Sequence, residues 1–163
     1  MEKMVIDNDT FFADVLQVLR QGKRVTIHVK GFSMLPFIRG GKDLVVLEQA
    51  GDALKADDIV LFHIGPDDGG RYVMHRILSI DGDEVDIMGD GVPYNHEHVR
   101  RDQILAKAVE VVRGGKRSVD PYAPGRLRMV HFWQWLRPLR RYILFAYRHL
   151  PWNRSWIKEN VNI

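Results

Sequence analysis

Between residues 43 and 112 the chain is built of short segments in which apolar side chains recur at alternate positions. "DLVVLE" (43–48), "DIVLFHI" (58–64), "YVMHRILSI" (72–80), "EVDIM" (84–88) and "ILAKAVEVV" (104–112) follow one another in this way. Turn-forming runs separate them: "GPDDGG" at 65–70, "DGD" at 81–83 and "GDGVP" at 89–93. Period two belongs to a strand, whose successive side chains point to opposite faces. Glycine, aspartate and proline clusters mark the places where such strands reverse. The expected fold is therefore mainly β: an antiparallel, partly closed β-body.

Two elements precede these segments. In "DNDTFFADVLQVLRQGK" the residues Phe11, Phe12, Val15, Leu16 and Leu19 recur at helical spacing, with Asp9 or Thr10 as cap and Gly22 at the position of a left-handed C-cap. A leading helix over about 9–21 is expected. "RVTIHVK" then returns to period two, with Val25, Ile27 and Val29 on one face and Thr26, His28 and Lys30 on the other.

The end of the chain is different in kind. "GGKRSVDPYAPGR" (114–126) has three glycines and two prolines in thirteen residues and reads as a boundary. The expected division is a β-domain over 1–115, a linker over 116–126 and a helical extension over 127–163. In the extension Phe132, Leu136, Leu139, Ile143, Tyr147 and Leu150 follow a three–four spacing, which Pro138 interrupts, so a kink or two short helices are expected.

Charge divides along the same boundary. Residues 1–120 carry 16 Lys/Arg against 20 Asp/Glu, whereas residues 121–158 carry eight basic residues, no acidic one and all four tryptophans. Three uses for such a segment are open: an in-plane contact with an anionic membrane, a cap packed against the β-body or a second subunit, and nucleic-acid binding, the least favoured. Neither a secretory leader nor a run long enough to span a bilayer is found, so a cytoplasmic location is expected, with peripheral contact at the inner face of the membrane as one option. The chain has no cysteine, which excludes disulfides, thiolate metal sites and thiol nucleophiles.

One loop holds the materials for chemistry. In "KGFSMLPFIRGG" (30–41) Ser33 lies between glycines and is followed by Met34 and Pro36. A serine hydroxyl needs a neighbouring base to become a nucleophile, and a tightly turned glycine-rich loop can offer backbone N–H groups to an oxyanion. By itself, such a serine is most often a turn residue. "NHEH" (95–98) contains His96, Glu97 and His98, but with no third ligand at a telling spacing it reads as a solvated loop rather than a metal site. No metal or other cofactor is expected.

The order "SMLP", "ADDIVLF", "YVMHRILSIDGDEV", "MGDGV" resembles the S24/S26 superfamily of serine peptidases, which includes signal peptidases and the self-cleaving LexA-like repressors. The resemblance spans about residues 25–115. It implies Ser33 as nucleophile in an S-M-x-P box. Lysine is the base in bacterial signal peptidases and LexA-like proteins; "VMHRI" places His75 there, as in the Ser–His branch of archaeal and endoplasmic-reticulum signal peptidases. Histidine suits the task because it titrates near neutrality without deep burial. Asp90 matches the aspartate of the family's "GD" box and would orient His75, with Asp83 or Asp86 as alternatives if the strand register differs. Gly31, Ser33 and Met34 are the expected substrate and oxyanion positions, with Met34 in an apolar surface near the substrate.

The chain departs from the family pattern in places. Gly31 stands where lysine-type enzymes can carry an oxyanion-assisting hydroxyl, so backbone N–H groups would have to serve. "VPYNHEH" has no second aspartate, no N-terminal membrane anchor is seen, and about 24 residues before the β-body are too few for a helix-turn-helix domain. The Ala50–Gly51 bond lies after the serine, and self-cleavage there is not expected. The resemblance implies a serine endopeptidase acting on a protein or precursor peptide through a Ser–His(–Asp) acyl-enzyme. A catalytically silent peptide-binding module and a membrane-associated scaffold acting through the basic tail are the alternatives.

Overall fold

The structure is a computed structural model and describes residues 8–65 and 70–150. Parts of the "GPDDGG" turn, Trp152, Trp156 and the rest of 151–163 lie outside the described residues. The chain is mainly β, with eight antiparallel strands in one sheet and helices at both ends.

Helix α1 (Asn8–Arg20) leads into β1 (Val25–His28) through Gly22, whose φ of 72° is the left-handed conformation a helix-ending glycine supplies. The strands β2 (Leu44–Gln49), β3 (Ile59–Ile64), β4 (Arg71–Asp81) and β5 (Glu84–Met88) fall on the alternating segments to within a residue or so. So does β7 (Ile104–Arg113). Two further strands were not foreseen: β6 (Glu97–Arg100), inside a segment read as a solvated loop, and β8 (Arg117–Val119). The order along the sheet is β1-β2-β7-β3-β4-β5-β6, with β8 continuing beside β7. Along this path β1 is paired with β2 and β6 with β5, so the sheet is open.

Alternation splits the interior between the sheet's two faces. Ile27, Val45, Leu47, Ile59, Leu61 and Ala108 form one core with Val15 and Leu19 of α1, and Val25 and Val29 pack against it as period two predicts. Val60, Phe62, Ile77, Val85, Ile87 and Val99 form a second core. At about 25 cal/mol per Å2 of apolar surface removed from water, such sides hold the sheet together.

The expected linker at 116–126 is ordered structure. It contains β8 and the first turn of α2 (Pro124–Trp135), which proline can open because its missing N–H costs nothing in a first helical turn. Between them Tyr122 Oη accepts a hydrogen bond from Ile59 N (3.1 Å) and donates to the Ala108 carbonyl, binding this segment to the sheet. Beyond α2 the chain breaks at a short 3-10 turn around Pro138 (Arg137–Leu139) before α3 (Arg140–His149), the two-helix arrangement expected from that proline. Val130, Trp133 and Leu144 pack on Leu35 and Phe37 of the serine loop in a third core. Among the described residues no helix is long and apolar enough to cross a membrane.

Candidate active site

The serine loop is a closed structure. An ideal Cβ on Gly40 would lie 2.2 Å from the Gly31 carbonyl oxygen, so the two ends of the loop touch backbone to backbone. Gly41 N donates to the Val29 carbonyl at 2.8 Å just outside that contact. Gly31 has φ 81°, which explains why this position carries no side chain. Within the loop, Leu35 N donates to Phe32 O and both Phe37 N and Ile38 N donate to Met34 O. These turn bonds do not use the N–H groups of Ser33 and Met34.

Met34 and Leu35 anchor the loop in different directions. Met34 is 6% exposed and lies in the first core, while the fully buried Leu35 joins the third. Ser33, between Phe32 and Met34, is half-buried. The Met34 side chain thus packs into an apolar surface, the first core, and holds the loop down; its backbone N–H remains a candidate for the oxyanion.

The "MGDGV" segment lies directly against this loop. Gly91 N donates to the Ser33 carbonyl at 2.7 Å, and a Cβ on Gly91 would fall 2.3 Å from the Phe32 carbonyl oxygen. A Cβ on Gly89 would lie 2.5 Å from the Ser33 carbonyl oxygen and 2.9 Å from Nε2 of His75. The Ser33 carbonyl oxygen and the His75 ring thus both border a position where a side chain would collide with them. Four segments far apart in the sequence converge here: Arg76, next to His75, donates to the Asp57 carbonyl and to the Asp90 carboxylate.

Strand register assigns the two carboxylates to different partners. In β4 and β5, Arg76 is opposite Met88 and Ile77 opposite Ile87, and Ile87 is in turn opposite Glu97 of β6. Paired residues share a face, as do residues two apart. His75 therefore lies on the face of Ile77, Ile87 and Glu97, and its Nδ1 is 2.9 Å from Glu97 Oε2. Arg76 points the other way, where Asp90 meets it. Arg76 Nε and Nη2 reach the Asp90 carboxylate at 2.9 and 2.8 Å, both side chains being almost wholly buried.

Asp90 accordingly does not orient His75; its carboxylate is committed to Arg76. Burial works against the Arg76 charge, but Asp90 more than offsets it and holds the guanidinium above its ordinary pKa. Neither alternative takes the place of Asp90. Asp83 is exposed in the β4–β5 turn, and Asp86 lies 3.2 Å from His96 and 3.5 Å from His98. Glu97 is the residue that sequence reasoning missed. The signal was present in "EHVR", where Glu97 and Val99 alternate inward against His98 and Arg100 outward. No cluster of three or more metal-binding side chains occurs among the described residues.

The C-terminal helices buttress both loops. Trp133 Nε1 donates to the Asp90 carbonyl at 2.7 Å, and Arg140 spans the Val92 and Trp133 carbonyls. His75 itself is 5% exposed, with Phe62 edge-on at 6.0 Å. A half-buried hydroxyl, an imidazole whose far nitrogen meets a carboxylate, and turn N–H groups beside the hydroxyl can together support proton abstraction and acyl transfer. The sequence matches no protein-family model and no curated protein.

Proposed function

We propose that the chain is a serine endopeptidase of S24/S26 type whose acid is Glu97, giving a Ser33–His75–Glu97 constellation. The observation that carries the proposal is the double placement of His75. Its Nε2 borders Gly89, whose other side is lined by the Ser33 carbonyl, and its Nδ1 lies 2.9 Å from the Glu97 carboxylate.

Ser33 Oγ attacks the scissile carbonyl carbon as Nε2 of His75 removes the hydroxyl proton. Glu97 accepts the hydrogen bond from Nδ1–H, fixing the tautomer that leaves Nε2 free and stabilising the imidazolium that forms. The N–H groups of Ser33 and Met34 receive the developing oxyanion. The imidazolium then protonates the leaving amine, and a water activated by the same Nε2 releases the acyl group from Ser33. An extended peptide substrate would lie along an exposed strand edge.

The test uses a fluorophosphonate probe and intact-mass measurement on the full chain, together with digestion of a peptide library. Expected are one adduct on Ser33, its loss in Ser33→Ala, its strong reduction in His75→Ala, and cleavage products only from the unmodified protein. A chain that takes no adduct and cuts no peptide, or a Ser33→Ala variant that still cuts, overturns the proposal.

A further inference from the structure

Helix α2 carries large apolar side chains outside as well as inside, among Arg126, Arg128, His131 and Gln134. Val130 and Trp133 are buried against the serine loop, yet Met129, Phe132 and Trp135 on the outer side are 62%, 60% and 74% exposed. Phe132 and Trp135 stack on each other with ring centroids 5.9 Å apart. On α3, Leu144 faces inward while Tyr142 and Phe145 face out at 56% and 63%. A surface helix that needs only one apolar face to hold its place here carries two.

The charge on the helices themselves has one sign, although Asp57, from outside them, meets His131 of α2 at 2.8 Å. Residues 121–150 contain six arginines and no acidic residue. Arg128 and Arg141 are exposed on these helices, and Arg141 lies over the Tyr142 ring at 4.4 Å. Such a surface is poorly matched to a second copy of itself: a two-fold contact places a patch against its own image, and arginine would meet arginine with no carboxylate between. Aromatic rings beside arginines, with the nearby acid Asp57 paired to His131, match the boundary between acyl chains and anionic headgroups.

We propose that the outer side of α2 and α3 binds in the plane of a lipid bilayer containing anionic headgroups, with Phe132, Trp135 and Phe145 entering the interface and Arg128 and Arg141 meeting the phosphates. The inner side of the same helices holds Leu35, Phe37 and the Asp90 carbonyl. The bilayer contact is thus fixed rigidly to the serine loop, without depending on the loop's chemistry.

The test is co-sedimentation of the full chain with phosphatidylcholine vesicles, with and without about a quarter phosphatidylglycerol, at low and raised salt. Binding is expected to the anionic vesicles and to fall at least ~10-fold on pure phosphatidylcholine or at high salt. Phe132→Ser/Trp135→Ser and Arg128→Gln/Arg141→Gln should each weaken binding ~10-fold or more while leaving the melting temperature within a few degrees, since these side chains are exposed. Failure to bind anionic vesicles, or binding that the Phe132→Ser/Trp135→Ser variant leaves unchanged, overturns the proposal. So does a vesicle-free dimer or a tight complex with single-stranded oligonucleotide that the same variant abolishes, which would assign the face to a second copy or to nucleic acid.

Discussion

Glu97 and His75 lie on two strands that do not touch each other, β6 and β4, and reach one another across β5, with Nδ1 2.9 Å from Oε2. The pair exists because Ile77, Ile87 and Glu97 form one row of the sheet and His75 is two residues from Ile77 on the same face. If Glu97 fixes the His75 tautomer, Glu97→Gln should lower turnover ~100-fold or more with little change in substrate affinity. The carboxylate is 19% exposed, so the variant should remain folded. Steady-state kinetics with a circular dichroism melt checks both; unchanged turnover would remove Glu97 from the site.

Asp90 should behave in the opposite way. Its buried carboxylate neutralises Arg76, and Asp90→Ala leaves that guanidinium charged and unpaired at 1% exposure. Removing one partner of such a pair costs about 3–5 kcal/mol. Urea denaturation should show a loss of that size, accompanied by loss of activity through displacement of the Gly89–Gly91 segment. A variant of full stability and no activity would instead place Asp90 in the chemistry.

The contrast between these two carboxylates shows what the sequence could reveal. Period two located five strands and β1 closely, and it put Val25, Ile27 and Val29 on the first core, because alternation of apolar residues is the same physical fact as a half-buried face. Helix breaking at Pro138 was equally legible. The partner of His75 was not, because it depends on pairing register between strands, which no local segment encodes. Asp90 is one residue away from the parity that would have placed it with His75. The order of the segment at 116–126 was not legible for another reason: beside its two prolines and one glycine stands Tyr122, whose hydroxyl bonds to β3 and β7 tie the segment down. Burial, foremost, raises the Tyr122 pKa well above its ordinary value of 10.0 and keeps the hydroxyl a donor to Ala108 O.

Gly89 should tolerate no side chain. In Gly89→Ala the new methyl carbon would meet Ser33 O at 2.5 Å and His75 Nε2 at 2.9 Å, distances that force one of them to move. Turnover should fall ~100-fold, since displacement of reacting groups by about 1 Å can cost that much. A loss in kcat that exceeds the rise in KM is the expected signature; wild-type kinetics would show that Ser33 and His75 do not work across this residue.

Asp43 gives the fold a defined acid sensitivity. Its wholly buried carboxylate is disfavoured by desolvation, but hydrogen bonds from the Arg39 side chain, Gly114 N and Arg39 N, and the charge of Arg113, outweigh that and hold its pKa below 3.8. A depressed folded-state pKa means that the native protein binds this proton less readily than the unfolded chain. The stabilisation is therefore complete above the unfolded value near 3.8 and is lost as pH falls through the lower folded value. Asp43→Asn should cost about 2–3 kcal/mol at neutral pH. The difference between variant and parent, followed by denaturant melts from pH 6 downward on the order of one unit at a time, should shrink below about pH 4; a constant difference would assign the cost to packing.

Trp133 decides whether the C-terminal helices are an accessory or part of the body that holds the serine loop. Its ring is 8% exposed among Leu35, Phe37, Val130 and Leu144, and its Nε1 donates to the Asp90 carbonyl at 2.7 Å. Truncation to alanine removes both the filled volume and the hydrogen bond, and Trp→Ala in a core costs about 3–5 kcal/mol. Trp133→Phe retains most of the volume and loses the donor, which leaves one carbonyl to be satisfied otherwise and costs about 1–2 kcal/mol. If the helices hold the serine loop in place, Trp133→Phe should reduce turnover more than its melting temperature alone predicts, because the bond it loses ends on Asp90, next to the Gly89 position that borders the Ser33 carbonyl and His75. Stability and turnover measured together on the two variants test this. A Trp133→Ala protein that melts like the parent and keeps full activity would mean that the β-body stands without its helices.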